Sequence, residues 1–172
     1  MIFNDRIQSG KLLGDKLISV GYDSSAILLC IPRGGVVVGY HAAERLNARL
    51  DIIVPRKIGA PFNSEFAIGA VMEDGSIYLN RTNIDSLGIT YEYIESETSR
   101  QIDEIKRRIR FYRKSRSEPE VSGKIVIIVD DGIATGATIM AAAISLKKKN
   151  PARLCVAAPV GAPESVNEIS KI

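Results

Sequence analysis

Four short apolar runs punctuate the chain, at 26–31, 51–54, 124–129 and 153–158. Each is followed by a polar, proline-rich or glycine-rich stretch. Runs of this length and continuity suit strands buried on both faces of a sheet. The intervening segments change period. Ahead of the first run, Asn4 is placed to cap a helix carrying Leu13, Leu17 and Val20 on one face. Helices are predicted at 36–47 and 139–149, and another starts at Glu164, after Pro159-Val-Gly-Ala-Pro163.

The middle of the chain reads differently. The β-prone runs 66–71 and 77–79 flank Glu73-Asp74-Gly75-Ser76, and an Asp-Gly step in such a place predicts a hairpin. From Thr90 to about Arg113, Ile94, Thr98, Ile102, Ile105, Ile109 and Tyr112 recur every three or four residues, as on one helix face. Glu92, Glu95 and Glu97 begin that segment, and Arg107, Arg108, Arg110 and Arg113 end it, an order that complements the helix dipole. A loop over 115–123 follows. Strand, loop and helix in repetition predict an α/β fold: a doubly wound, mainly parallel sheet flanked by helices and joined by right-handed crossovers. The hairpin and long helix form an insertion at about 60–116, within a wider loop, hairpin and helix segment at 60–123. The whole of 1–172 is expected to be a single domain.

Composition narrows the class. Charged residues make up 25% and hydrophobic ones 45% of 172, which excludes a disordered or collagen-like chain. The net charge of +3 is too small to make nucleic acid the expected partner. Cys30 and Cys155 each sit in an apolar run and read as core residues of a reducing compartment. No uninterrupted apolar stretch reaches the roughly 18 residues of a membrane span, and the first residues lack a signal-like apolar core. A soluble, cytoplasmic protein is expected.

The chemistry collects at the predicted strand ends, which read PRGG, PRK, DDGIATGAT and APVGAP. In open α/β sheets that edge is where ligands bind. Asp130 and Asp131 are adjacent acids at the end of a buried strand, so they repel each other and lose hydration. A divalent cation or the hydroxyls of a ligand would compensate. The residues that follow open a helix, whose free N–H groups suit a phosphate. Gly136 permits close backbone approach, and Thr135 and Thr138 add hydroxyl donors. In Pro32-Arg33-Gly34-Gly35, the glycines allow positive φ and Arg33 offers a guanidinium fork. Arg56 and Lys57 add two cations at the end of the second run. The stretch IVIIVDD imitates a Walker B strand, but no GxxxxGK[ST] accompanies it.

The apolar run Val126-Ile-Ile-Val129 with Asp130-Asp131-Gly132-Ile133-Ala134-Thr135-Gly136-Ala137-Thr138 resembles the signature of the type I phosphoribosyltransferases. Gly132 is the one irregularity, at a position that is often apolar. The resemblance implies that the two acids hold the ribose hydroxyls and, with them, Mg²⁺. It implies that Gly132 to Thr138 bind the 5′-phosphate of phosphoribosyl pyrophosphate (PRPP). Arg33, Gly34 and Gly35 would form the pyrophosphate loop, and Arg33, Arg56 and Lys57 would stabilise the leaving pyrophosphate. The acceptor would be a nucleobase, in salvage, and the protein a homodimer. The 60–123 segment stands where the family keeps its flexible catalytic loop, with Glu65 or Glu73 available for acid–base work. The basic stretch from Lys106 to Arg116 reads as a solvated face, and His41 as structural. Ala134 stands where hypoxanthine–guanine members carry a third Asp, which argues against that base contact. The chain also stops about nine residues into a predicted helix, whereas the family continues to a further strand, so either the chain is truncated or its base site is built differently. The alternative is a regulatory protein of the same fold that senses PRPP or a nucleotide without catalysis.

Overall fold

The computed structural model describes residues 2–114 and 116–172; Ser115, the first residue of the expected 115–123 loop, lies outside them, as does Met1. The chain gathers into two compact units. The first takes 2–53, 119–134 and 146–171. The second takes the described part of 54–118 together with 135–145.

The first unit is built on strands β1 (Ile27–Cys30), β2 (Arg49–Ile52), β6 (Ile125–Val129) and β7 (Arg153–Ala157). They form one sheet in the order β2-β1-β6-β7, every pair parallel. The continuous apolar runs predict such a sheet, and β1 is buried at every position. The second strand starts two residues earlier than its apolar run suggests. Ile53 and Val54 are buried beyond its end, where the Ile53 N–H still donates to the Cys30 carbonyl.

Helices α1 (Arg6–Ser19) and α2 (Gly34–Leu46) pack closely against each other. Asp5, not Asn4, caps α1: its carboxylate accepts from the Gln8 N–H at 2.7 Å. The Asn4 N–H donates to the Gln8 side chain instead. The face of α1 that is buried carries Ser9, Gly10, Gly14 and Leu17, whereas Val20 is half exposed at the C-cap. A Cβ on Gly10 would fall 2.5 Å from the Val38 carbonyl oxygen, and one on Gly14 2.6 Å from Arg45 Cβ. The two glycines therefore set how near the helices come. The core beneath joins Leu17, Leu28, Cys30, Val38, Leu46, Ile127 and Val129. Short helix α6 (Pro163–Ile169) follows β7.

The second unit holds an antiparallel sheet, β3 (Arg56–Ala60), β4 (Asn63–Val71) and β5 (Ile77–Leu79), in that order. The β4–β5 hairpin turns at Gly75, φ +77°, in agreement with the Asp-Gly step. Asp74 accepts from the Ser76 backbone and hydroxyl and from the Ser145 hydroxyl. Helix α3 (Arg81–Ser86) is capped by Asn80. The long helix α4 (Tyr91–Arg113) is capped by Thr90 and packs on β3 and β4. Ile94 and Ile105 are buried on the face its periodicity marks. Helix α5 (Ala137–Lys147) begins in this unit.

Candidate functional site

The carboxyl ends of β1 and β6 are neighbours because the two strands are parallel and in register, Cys30 beside Val129. The chain leaving β1 runs through Pro32 and Arg33, joined by a cis peptide bond, into α2. The chain leaving β6 presents Asp130 and Asp131. The Ile31 N–H donates to the Val129 carbonyl at 2.8 Å, which carries the strand pairing up to the edge.

These two segments touch without spare room. A Cβ on Gly34 would lie 2.0 Å from Asp131 Oδ2, and one on Gly35 would lie 2.8 Å from the Val129 carbonyl oxygen and 3.0 Å from Asp130 Cα. Neither glycine has positive φ. The expectation of a positive-φ turn is thus corrected: the glycines serve close approach of the first turn of α2 to the two acids. Arg33 is exposed at the N-cap of α2.

The acids differ in surroundings. Burial pushes the Asp130 carboxyl up to about 7, with further upward pressure from Asp131; the Asp131 N–H, donating to Asp130 Oδ1 at 2.8 Å, pulls the other way. Asp131 is reached by a residue that the sequence does not single out. Arg6, in the first turn of α1, places Nε 2.8 Å and Nη2 2.7 Å from Asp131 Oδ2. The two partners stand 125 residues apart, so no local spacing could reveal the pair.

Beyond the acids, Gly132 lies against Val160, Ile133 bridges to Gly161, and Ala134 is held through its carbonyl by the Ser165 hydroxyl at 2.5 Å. The loop after β7 thus braces the first half of the turn. Ser165 is a second residue that sequence reading misses. Gly136 has φ +73°, and its carbonyl accepts from Met140 as α5 begins. Gly136 and Ala137 are buried, Thr138 partly so, and Thr135 is exposed.

Arg56 and Lys57 do not end the second parallel strand. They open β3, opposite Val71 and Ala70 of β4, in the second unit. Arg56 donates through Nε to the side chain of buried Gln101 at 2.8 Å. Burial, followed by the nearby Arg108 charge, holds its pKa below the ordinary guanidinium value. Lys57 faces Glu65 at 3.4 Å, and Glu73 is exposed in the hairpin turn. Arg107 and Arg108 both bind Glu104, whose carboxyl is pulled down to about 2 by those hydrogen bonds. His41 pairs with Glu44 at 2.9 Å. Burial pushes the Cys30 thiol up to about 12, so it is an inert core group.

Among the described residues no group of three or more His, Cys, Asp and Glu gathers to hold a metal, and no helix is long and apolar enough to cross a membrane. Two adjacent hard carboxylates still suit Mg²⁺, which keeps several waters and is commonly shared between one or two carboxylates and substrate phosphates.

A parallel sheet with paired acids at one strand end, pressed against a glycine-opened helix at the next, defines an α/β domain with a ligand edge. The sequence model of the phosphoribosyl transferase domain matches residues 13–172, and the chain belongs to that family. A Mycobacterium tuberculosis (strain ATCC 25618 / H37Rv) protein, provisionally named a phosphoribosyl transferase, is 36% identical over 160 residues. The match covers 93% of this chain and 36% of that protein, so the chain spans about a third of its length. The uracil phosphoribosyltransferase of Mycoplasma genitalium is 33% identical over 96 residues, covering 55% of this chain and 40% of the relative. Among solved structures, TT1426 from Thermus thermophilus superposes with a TM-score of 0.79 at 40% identity, covering 99% of this chain and 81% of that one. A hypoxanthine phosphoribosyltransferase from Staphylococcus aureus shares the fold, with a TM-score of 0.55 at 13% identity over 94% of this chain and 65% of that one.

Proposed function

We propose that the protein transfers the 5-phosphoribosyl group of PRPP to a ring nitrogen of a nucleobase and releases pyrophosphate. The observation that carries this reading is the Asp130–Asp131 pair held against Gly34 and Gly35 at one sheet edge. Such a pair answers the need of a ribose for two acceptors. In sequence it leads straight into Gly132 to Thr138, a run that ends at the N-terminus of α5 and suits the 5′-phosphate. Family membership and the resemblance of the whole 126–138 run support the same substrate.

In this reading the bond from C1′ to the pyrophosphate oxygen breaks as a nitrogen–C1′ bond forms, and the nitrogen gives up its proton to water. Asp130 and Asp131 hold the ribose, so binding energy remote from C1′ goes into orientation. Arg33, on exposed chain beside the acids, receives the charge of the leaving pyrophosphate. Arg56 and Lys57 are assigned to the pyrophosphate by the family resemblance alone. Asp130 and Asp131 would hold Mg²⁺, directly or through water and the ribose hydroxyls; bound there, the ion supplies charge neutralisation for the departing pyrophosphate. Ala134 in place of a third acid favours an acceptor other than hypoxanthine or guanine. A homodimer working in cytoplasmic nucleobase salvage completes the proposal, on family habit.

The test is pyrophosphate release from PRPP and Mg²⁺ across adenine, uracil, hypoxanthine and guanine. Release with one of them is the expected result. PRPP binding without turnover on any base would sink the enzyme reading and leave a sensor of the same ligand.

A further inference from the structure

Arg6 lies outside every element that the function draws on, yet its ion pair ends on one of the two acids the function needs. Two guanidinium nitrogens of Arg6, Nε and Nη2, converge on a single oxygen, Oδ2, at 2.8 and 2.7 Å. The backbone of α2 closes on the same oxygen from another side, since a Cβ on Gly34 would stand 2.0 Å from it. Oδ2 is therefore enclosed by a guanidinium and a helix turn, and the carboxylate plane of Asp131 is fixed by them. A guanidinium donates in a fixed fork, so it sets direction as well as distance.

Resting on the proposed PRPP reading, we infer that Arg6 is a positioning residue: it anchors Asp131 through Oδ2 so that Oδ1 faces the ribose hydroxyl of the substrate. Arg6 has no part in the bond changes. It acts only through Asp131, and its effect belongs to the binding of the ribose, not of the pyrophosphate. Both side chains are partly exposed, Arg6 at 59% and Asp131 at 31%, so the effect is modest. A charge-assisted hydrogen bond in such a setting corresponds to roughly a three- to tenfold change in affinity.

The experiment is a double-mutant cycle on the full chain, read by titration calorimetry with PRPP·Mg²⁺ and, separately, with metal-free pyrophosphate, which does not report on the Mg²⁺ that Asp131 would hold. Wild-type protein that fails to bind PRPP would refute the parent reading, whatever Arg6 does. Given wild-type binding, Arg6→Ala is expected to weaken PRPP roughly three- to tenfold while leaving pyrophosphate affinity unchanged, and Arg6→Lys is expected to recover part of the loss. In an Asp131→Asn background, Arg6→Ala is expected to add nothing further. Three results would each overturn the inference: unchanged PRPP affinity in Arg6→Ala, an equal loss for pyrophosphate, or a loss that persists in full in the Asp131→Asn background. Unchanged thermal midpoints for Arg6→Lys keep the comparison free of folding effects, because that variant retains the charge and the helix propensity.

Discussion

At the scale of single residues, the two acids are legible because their cost is local: adjacent carboxylates after a buried strand need a reason. Arg6 is not legible, because an ion pair across 125 residues leaves no spacing to read. The glycines after β1 stand out as glycines, but their purpose is tight packing against Asp130 and Asp131, which only three dimensions show. Asp130 makes a prediction about pH. Its carboxyl rises from 3.8 to about 7 on folding, chiefly through burial. Between those values the folded chain keeps a proton that the unfolded chain releases, so this group's stabilising contribution is full at the acid end and is lost as pH rises to about 7. Melting temperatures from pH 4.5 to 8 should show the decline in wild type and a flatter profile in Asp130→Asn; parallel profiles would contradict it. Gly39 makes another. A Cβ there would meet Cys30 Sγ at 2.1 Å, with every other neighbour at 3.3 Å or beyond. Gly39→Ala should cost ~1–3 kcal/mol by overpacking, measured by urea unfolding. Adding Cys30→Ala should return much of the loss, since it removes the one atom in the way.

At the scale of elements, the strands that the sequence reads correctly are those with a continuous apolar run. β1 and β6 show as apolar runs because the parallel sheet leaves them no solvent side, and β7, half-buried at the sheet edge, keeps an apolar run all the same. β3 reads instead as the basic end of a preceding strand. Its sequence, Arg-Lys-Ile-Gly-Ala, opens with two charges, and its pairing with β4 shifts register at Gly59, where a Cβ would strike Ser64. Helix α3 goes unread because its six residues make fewer than two turns, too few for an apolar face to repeat. Helix α4 is clear for the opposite reason, since its apolar face repeats over 23 residues. Yet the periodic apolar residues do not account for all that α4 buries. Gln101 is 4% exposed, accepts from Arg56 and donates to Glu97 at 2.7 Å. Gln101→Ala should therefore cost ~1–3 kcal/mol, because it strands the half-buried Arg56 donor. Urea unfolding followed at the second unit checks this, and a change below ~0.5 kcal/mol would mean that the Gln101 bonds are solvent-replaceable.

For the molecule as a whole, the sheet order β2-β1-β6-β7 couples distant parts of the chain. β1 is interior, so both of its edges need partners, and the second partner comes from the far side of the 54–118 segment. A fragment ending at Glu118 keeps α1, α2, β1 and β2 but loses Ile127 and Val129 from the core. It should show no cooperative unfolding transition of the first unit by circular dichroism, whereas the full chain should. The same sheet order has a meaning for a nascent chain. Roughly ninety residues separate Cys30 from Ile125, on the order of 5–20 s of translation. Through that interval β1 is an apolar strand with one edge open, the form most prone to pair with a neighbour on the same polysome. The order of strands that builds the candidate site's edge thus makes the protein's early life on the ribosome a window for chaperone capture.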